Sequence, residues 1–140
     1  MTNIKIGSDC EKQVINILRG NGFWCYLTPR TATGQPVDII AAKSKNNCDI
    51  VYLFDVKHVR DETVSFTLER IEANQWSSLG YARNFANLER LGFAIYFERN
   101  KTLYWLPFTK ALELKEKGIK SINLKSLGKF EEEINENNNK

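Results

Sequence analysis

Residues 37–59 read V-D-I-I-A-A-K-S-K-N-N-C-D-I-V-Y-L-F-D-V-K-H-V, from Val37 to Val59. Two apolar runs, Val37 to Ala42 and Ile50 to Val59, flank the polar stretch KSKNNCD. This pattern reads as strand, turn, strand. The second run is apolar enough in its first half to lie buried in the middle of a sheet. Side chains alternate across a strand, so Asp55 and Lys57 share one face, while Phe54, Val56 and His58 share the other. If the two runs pair as a hairpin, Asp38 comes near Asp55, seventeen residues further on. Charged groups late in a buried strand are costly unless they are paired or ligate a metal. A plain Asp55–Lys57 ion pair would satisfy that rule. Asp38 shifts the balance, because adjacent carboxylates repel and a hard divalent cation with oxygen ligands relieves the repulsion.

Working outward toward the N-terminus, Thr28 to Pro36 (TPRTATGQP) is a loop leading into Asp38, and Phe23 to Leu27 is an aromatic-rich strand. Before it, Val14, Ile15 and Leu18 recur at helical spacing, and Gly20 and Gly22 end the helix. Ser8 with Glu11 three residues later has the form of a capping box at its start. Glu11 also heads the i, i+3, i+4, i+7 series through Leu18, which turns its carboxylate toward the sheet. The two roles are compatible.

Toward the C-terminus, Phe66 to Leu91 reads mainly as a helix with Leu68, Ile71, Leu79 and Ala82 on one face. Gln75 interrupts that apolar face, four residues after Ile71 and four before Leu79. A polar residue there is expected to contact substrate or support the acids. Gly92 to Glu98 and Thr102 to Leu106 read as strands joined by a tight Arg99-Asn100-Lys101 turn, and Thr109 to Lys117 as a helix closed by Gly118. The order α-β-β-β-α-β-β-α predicts an α/β fold, a mixed central sheet flanked by helices. Trp76, Trp105, Phe66 and Tyr81 are expected in the core. His58, the only histidine, faces away from Asp55 and Lys57 and is expected to be structural or to touch substrate. Gly7, Gly20, Gly22 and Gly34 make no phosphate-cradling pattern.

A chain of 140 residues is one ordinary domain, here residues 1–130, followed by an acidic Asn-rich tail expected to be disordered. Residues 131–140 carry four Glu and one Lys, a net −3, which leaves +6 on residues 1–130 of a chain whose total is +3. A basic body is compatible with a polyanionic partner. Cys10, Cys25 and Cys48 are odd in number and contain no C-x-x-C pair, which argues against a disulfide scaffold or a zinc ribbon. Neither a secretory leader nor a membrane-length apolar run is present, so a cytoplasmic, membrane-free location is expected.

Taken in order, Gly7-Ser8-x-x-Glu11, Pro36-Val37-Asp38, Phe54-Asp55-Val56-Lys57 and Gln75 resemble the PD-(D/E)xK nuclease superfamily. The first half resembles archaeal Holliday junction resolvases, which share the G-S-x-x-E helix, a G-F strand and an acidic strand start. The second half is similar to RecU-type resolvases, through Leu68-Glu69-Arg70-Ile71 to Gln75, then GFAIYFE, LYWLPFTKALEL and KSINL. The likeness spans about residues 7–125. Three departures stand out. Val37 separates Pro36 from Asp38, Asp55 stands where these families more often have Glu, and no long stalk fits between Asp38 and Asp55.

The resemblance implies a restriction-endonuclease-like core and a Mg²⁺-dependent endodeoxyribonuclease, with Mn²⁺ able to substitute. It implies that Asp38, Asp55 and the carbonyl of Val56 hold the metal, with Glu11 a direct or water-bridged ligand, and that Lys57 orients the attacking water. Arg30, Thr31, Thr33, Lys43, Lys45 and Arg60 are the implied phosphate contacts. The implied partner is four-way junction DNA, cut by a homodimer with two sites. Three alternatives stay open at this point: another PD-(D/E)xK endonuclease for duplex, flap or mismatched DNA, a non-catalytic DNA-binding module, and a structural domain whose acids only form salt bridges.

Overall fold

Asn46 and Asn47 both adopt positive φ, 52° and 64°, and close the turn between β2 (Ile39–Lys45) and β3 (Cys48–Val59). Consecutive residues at positive φ suit the right-handed twist of a hairpin, and asparagine tolerates them better than most residues. The two strands pair antiparallel from Ile39 opposite Phe54 to Lys45 opposite Cys48. The hairpin predicted from residues 37–59 is therefore present, and its tight turn leaves no room for a stalk. The chain is described here from a computed structural model covering residues 3–29, 37–84 and 90–130, without the side chains of residues 3–8 and Lys45.

A six-stranded mixed sheet grows from the hairpin in the order β1-β2-β3-β5-β6-β8. On one side β1 (Trp24–Leu27) pairs antiparallel with β2 as an edge strand. On the other, β5 (Leu91–Phe97) runs parallel to β3. β6 (Thr102–Pro107) is antiparallel to β5, and the short β8 (Gly128–Lys129) closes that edge. All seven residues of β5 are buried, as expected for a central strand covered on both faces. Gly92 in β5 is dictated by close approach, since a Cβ there would lie 2.2 Å from the Leu106 carbonyl oxygen.

α1 (Asn3–Gly20) lies across one face of β1 and β3. Its Cys10, Val14 and Leu18 pack on Ile39, Tyr52 and Phe54, with Trp105 and Phe130 completing an aromatic core. The helix ends with Phe23 N–H donating to the Leu18 carbonyl and Gly22 N–H to that of Arg19, both at 3.0 Å. This double closure needs a left-handed residue at Gly22, which has φ +87°. α2 (Ala73–Ala82) and α3 (Phe108–Glu116) cover the opposite face of β5 and β6 with Leu79, Phe108 and Ala111.

Several expectations need correcting. α1 begins five residues before Ser8, so Ser8 lies inside the helix and is not its N-cap. Among the described residues, the α-helix read from Phe66 starts later. Phe66 sits in β4 (Ser65–Thr67), a 3-10 turn spans Leu68–Arg70, and α2 does not start until Ala73. β4 pairs with β7 (Ser121–Asn123), more than fifty residues away, and non-local pairing of three-residue strands leaves little periodic signal. Trp105 and Phe66 are in the core and Trp76 is half-buried, but Tyr81 is 71 % exposed. Residues 131–140 lie outside the described residues.

Candidate active site

Asp38 sits just before β2, in register with Asp55 across the hairpin. Its backbone N–H donates to Oδ1 of Asp55 at 2.9 Å, and Val56 N–H donates to Oδ2 of Asp38 at 2.8 Å. Each carboxylate thus accepts a backbone N–H from the opposite strand, which fixes both acids by main-chain geometry. Thr28 anchors the far side. Its N–H reaches the Asp38 carbonyl at 3.0 Å and its hydroxyl donates to the Val37 carbonyl. Sequence reasoning had no reason to single out Thr28, since its role depends on register with β2.

Asp55 is only 3 % exposed, and its Oδ2 is buried with no hydrogen-bond partner among the described residues. Burial is the largest cause pushing its pKa up from 3.8 to about 7, followed by the charge of Asp38. Lys57 and the Asp38 N–H pull it back down, and Glu11 adds a small upward push. Glu11 is buried on α1, three residues before Val14, as the helical spacing predicted. Its neighbour Cys10 is pushed up to about 12, chiefly by burial and then by the Glu11 charge.

Lys57 shares the Asp55 face, two residues along β3. Its Nζ donates to the Arg70 carbonyl at 2.9 Å and to Oε1 of Gln75 at 2.8 Å. The same Oε1 accepts Glu72 N–H at 3.0 Å, so Gln75 ties the start of α2 to the lysine. Gln75 lies in the first turn of α2, not mid-helix, and touches Lys57. Burial lowers the Lys57 pKa, while Asp55 and Asp38 oppose that shift. Arg70 was not foreseen as a site residue. Its carbonyl holds Lys57, and its guanidinium stands over the Phe66 ring at 5.5 Å. The signal was hidden because the contact is made by a main-chain oxygen.

His58 lies on the α1 side of β3 as alternation requires, with Nε2 3.2 Å from Oε2 of Glu98. Among the six suggested phosphate contacts, Arg30, Thr31 and Thr33 lie outside the described residues, as does the Lys45 side chain. Lys43 is engaged on the α1 side, donating to the Asn21 carbonyl at 2.9 Å and standing 5.6 Å over the Phe23 ring. Arg60 is exposed just after β3.

A divalent cation fits the acids on one observation: Asp55 Oδ2 is a buried carboxylate oxygen with no partner among the described residues, beside a second carboxylate. Among the described residues no three His, Cys, Asp or Glu side chains converge into a cage by themselves. The donor set is therefore open, two aspartates supplemented by main chain and solvent, which suits a hard ion that keeps several waters.

A mixed sheet with an acid pair across a central hairpin, a lysine two residues on and a buried helical glutamate defines a nuclease of the PD-(D/E)xK class. Within that class the chain matches the model of the archaeal Holliday junction resolvase family over residues 2–139, and it belongs to that family. Members are structure-selective nucleases that act on DNA junctions, generally with divalent metals, so this chain is a DNA-binding endonuclease of recombination and repair. No curated protein matches the chain. No helix among the described residues is long and apolar enough to cross a membrane.

Proposed function

We propose that the protein is a homodimeric Mg²⁺-dependent resolvase in which Asp38, Asp55 and the Val56 carbonyl hold the ion, Glu11 supports it, and Lys57 acts on the scissile phosphate. The supporting observation is Asp55 Oδ2, buried without a partner among the described residues and beside Asp38. Mg²⁺ bound there would lower the pKa of an attacking water and offset phosphate charge. The protein's own groups do the remaining work. Asp38 and Asp55 are held by backbone amides, so their oxygens need no reorganisation when substrate arrives. Gln75 and the Arg70 carbonyl take two of the three N–H donors of Lys57, which aims the third at a phosphate oxygen where charge develops. Gln75 acts through Lys57 and is a positioning residue.

A four-way junction needs two coordinated cuts, which a two-fold dimer with two sites supplies. Arg30, Thr31, Thr33, Lys45 and Arg60 remain the proposed phosphate contacts, and the enzyme would meet its DNA in the cytoplasm. Cleavage of a mobile four-way junction should vanish in excess EDTA and return with Mg²⁺ or Mn²⁺. Undiminished cutting in chelator overturns the metal assignment. Equal cutting of junction and linear duplex of the same sequence favours a general endonuclease of the same class.

A further inference from the structure

Lys57 is held by two acceptors, and its charge is favoured by Asp55 and Asp38. Arg70 stands beside it under opposite conditions. Its main-chain carbonyl takes one Lys57 N–H, but among the described residues its guanidinium enters no ion pair and no side-chain hydrogen bond. The group that favours its charge is the Cys10 thiol, which is itself pushed up to about 12 and so is neutral near physiological pH. Burial disfavours the charge further. A second cation stands within reach, since Arg70 also lowers the pKa of Lys57. A partly buried cation beside another cation, with no counter-ion, is costly in the protein alone.

The side chain is nevertheless held in place. Its Cζ stands 5.5 Å from the centre of the Phe66 ring, and that ring is fully buried in β4, so the platform is fixed. Stacking on a ring face uses none of the five N–H donors of a guanidinium, and the planar fork stays available. Its electrostatic neighbours locate it at the candidate active site. One is Lys57, and the other is Cys10, which precedes Glu11 on α1.

We infer that Arg70 is a second phosphate seat, whose guanidinium binds a non-scissile phosphodiester of the strand being cut, next to the phosphate that Lys57 engages. This rests on the reading of Lys57 given above. A phosphodiester supplies the missing counter-charge, and its two outer oxygens match the fork of the guanidinium. Phe66 orients the fork before DNA arrives, so little side-chain freedom is lost on binding. Lysine would not serve as well, being a point charge without a planar fork. A side chain that merely covered Phe66 would need only an apolar stem, and that difference makes the two roles separable. A phosphate contact carries no base information, so it suits an enzyme that selects DNA by shape.

The test compares the full-length wild type with Arg70→Met, which keeps a stem over Phe66, and Arg70→Lys, which keeps the charge. All three retain the main-chain carbonyl that holds Lys57. Binding of a labelled four-way junction is followed by fluorescence anisotropy in EDTA, from about 50 to about 200 mM KCl. The Met variant should bind at least about tenfold more weakly, and its plot of log affinity against log salt should be shallower by about 0.9 for each Arg70 engaged. The Lys variant should keep the wild-type slope and bind several-fold more weakly. In Mg²⁺, the loss of cleavage in both variants should fall on KM more than on kcat, as for a contact to a non-reacting group. A Met variant with the wild-type slope and KM overturns the seat. Should the Met variant fail to fold, the Lys variant decides, and wild-type affinity and KM in it overturn the seat. Cutting by wild type is read separately. A wild type that cuts, beside variants that bind as it does, refutes the seat and keeps the nuclease. A wild type that cuts no DNA, beside a Met variant with the shallower slope, keeps the seat and refutes the assignment of the acids.

Discussion

Replacing Asp55 by Asn should make the metal-free protein more stable while abolishing its cleavage. The side chain is buried, its Oδ2 has no partner among the described residues, and its ionised form faces Asp38 across the hairpin. Folding lifts its pKa from 3.8 to about 7, and this value already includes the attraction of Lys57. Each unit corresponds to about 1.4 kcal/mol, so ionising Asp55 at neutral pH costs the fold at most roughly 4 kcal/mol. Asparagine keeps the oxygen that accepts Asp38 N–H and removes the charge. Allowing for relaxation of the site, a gain of about 1–3 kcal/mol at pH 8 is expected, or roughly 3–9 °C in melting temperature for a domain of this size.

The sign against pH follows from linkage. The folded pKa lies above the unfolded one, so the Asp55 contribution to wild-type stability is most favourable below about pH 4, where the group is neutral in both states. That contribution becomes less favourable as pH rises toward about 7 and stays so above that. The Asn variant lacks this term, so its advantage should shrink toward zero near pH 4. The assay is thermal unfolding by circular dichroism in EDTA from pH 4 to pH 8, repeated with Mg²⁺. The ion should stabilise wild type and not the variant, since only a group bound in the folded state shifts the equilibrium. A variant less stable than wild type at pH 8, or a gain independent of pH, would show that Asp55 is satisfied in the fold and would remove the main support for a cation there.

Lys57→Ala should lower junction cleavage by about 10²–10³-fold while metal titration by calorimetry still reports binding, because the amine is not a ligand. Loss of metal binding would instead place Lys57 in maintaining the acid pair. In thiol titration Cys48, which is exposed, should react at once, whereas buried Cys10 and Cys25, both with raised pKa, should react only on unfolding. Fast reaction of two thiols would contradict the packing of α1. Phe130→Ala should cost about 3–5 kcal/mol in denaturant unfolding, because the ring is fully buried among Phe23, Tyr52, Phe54 and Trp105. Deleting residues 131–140 should change stability little, and a large loss would show that they pack on the domain.

What could be read from residue order alone follows from how locally each feature is encoded. The Asp38–Asp55 approach was legible because hairpin pairing and period-two alternation are both short-range, and Asn46-Asn47 supplies the turn. Glu11 was legible because it continues the stripe of Val14, Ile15 and Leu18. β4 and β7 were not, since three-residue strands such as Ser65-Phe66-Thr67 gain their identity only from a distant partner. The Arg70 carbonyl was invisible for a different reason, as main-chain acceptors carry no residue signature. Gln75 was flagged as polar within an apolar stripe, yet it lies at the start of a shorter helix with Lys57 as its partner.

The mutual clasp of Asp38 and Asp55 by opposite-strand amides also has a consequence in time. A hairpin confined to residues 38–56 can close on its own within about 1–10 µs, before distant segments have met. The clamp on Lys57 depends on Arg70 and Gln75, and the neighbour of β3 is β5, which all arrive later along the chain. The acid pair is thus encoded within one local hairpin, whereas the setting of the amine depends on segments far along the chain.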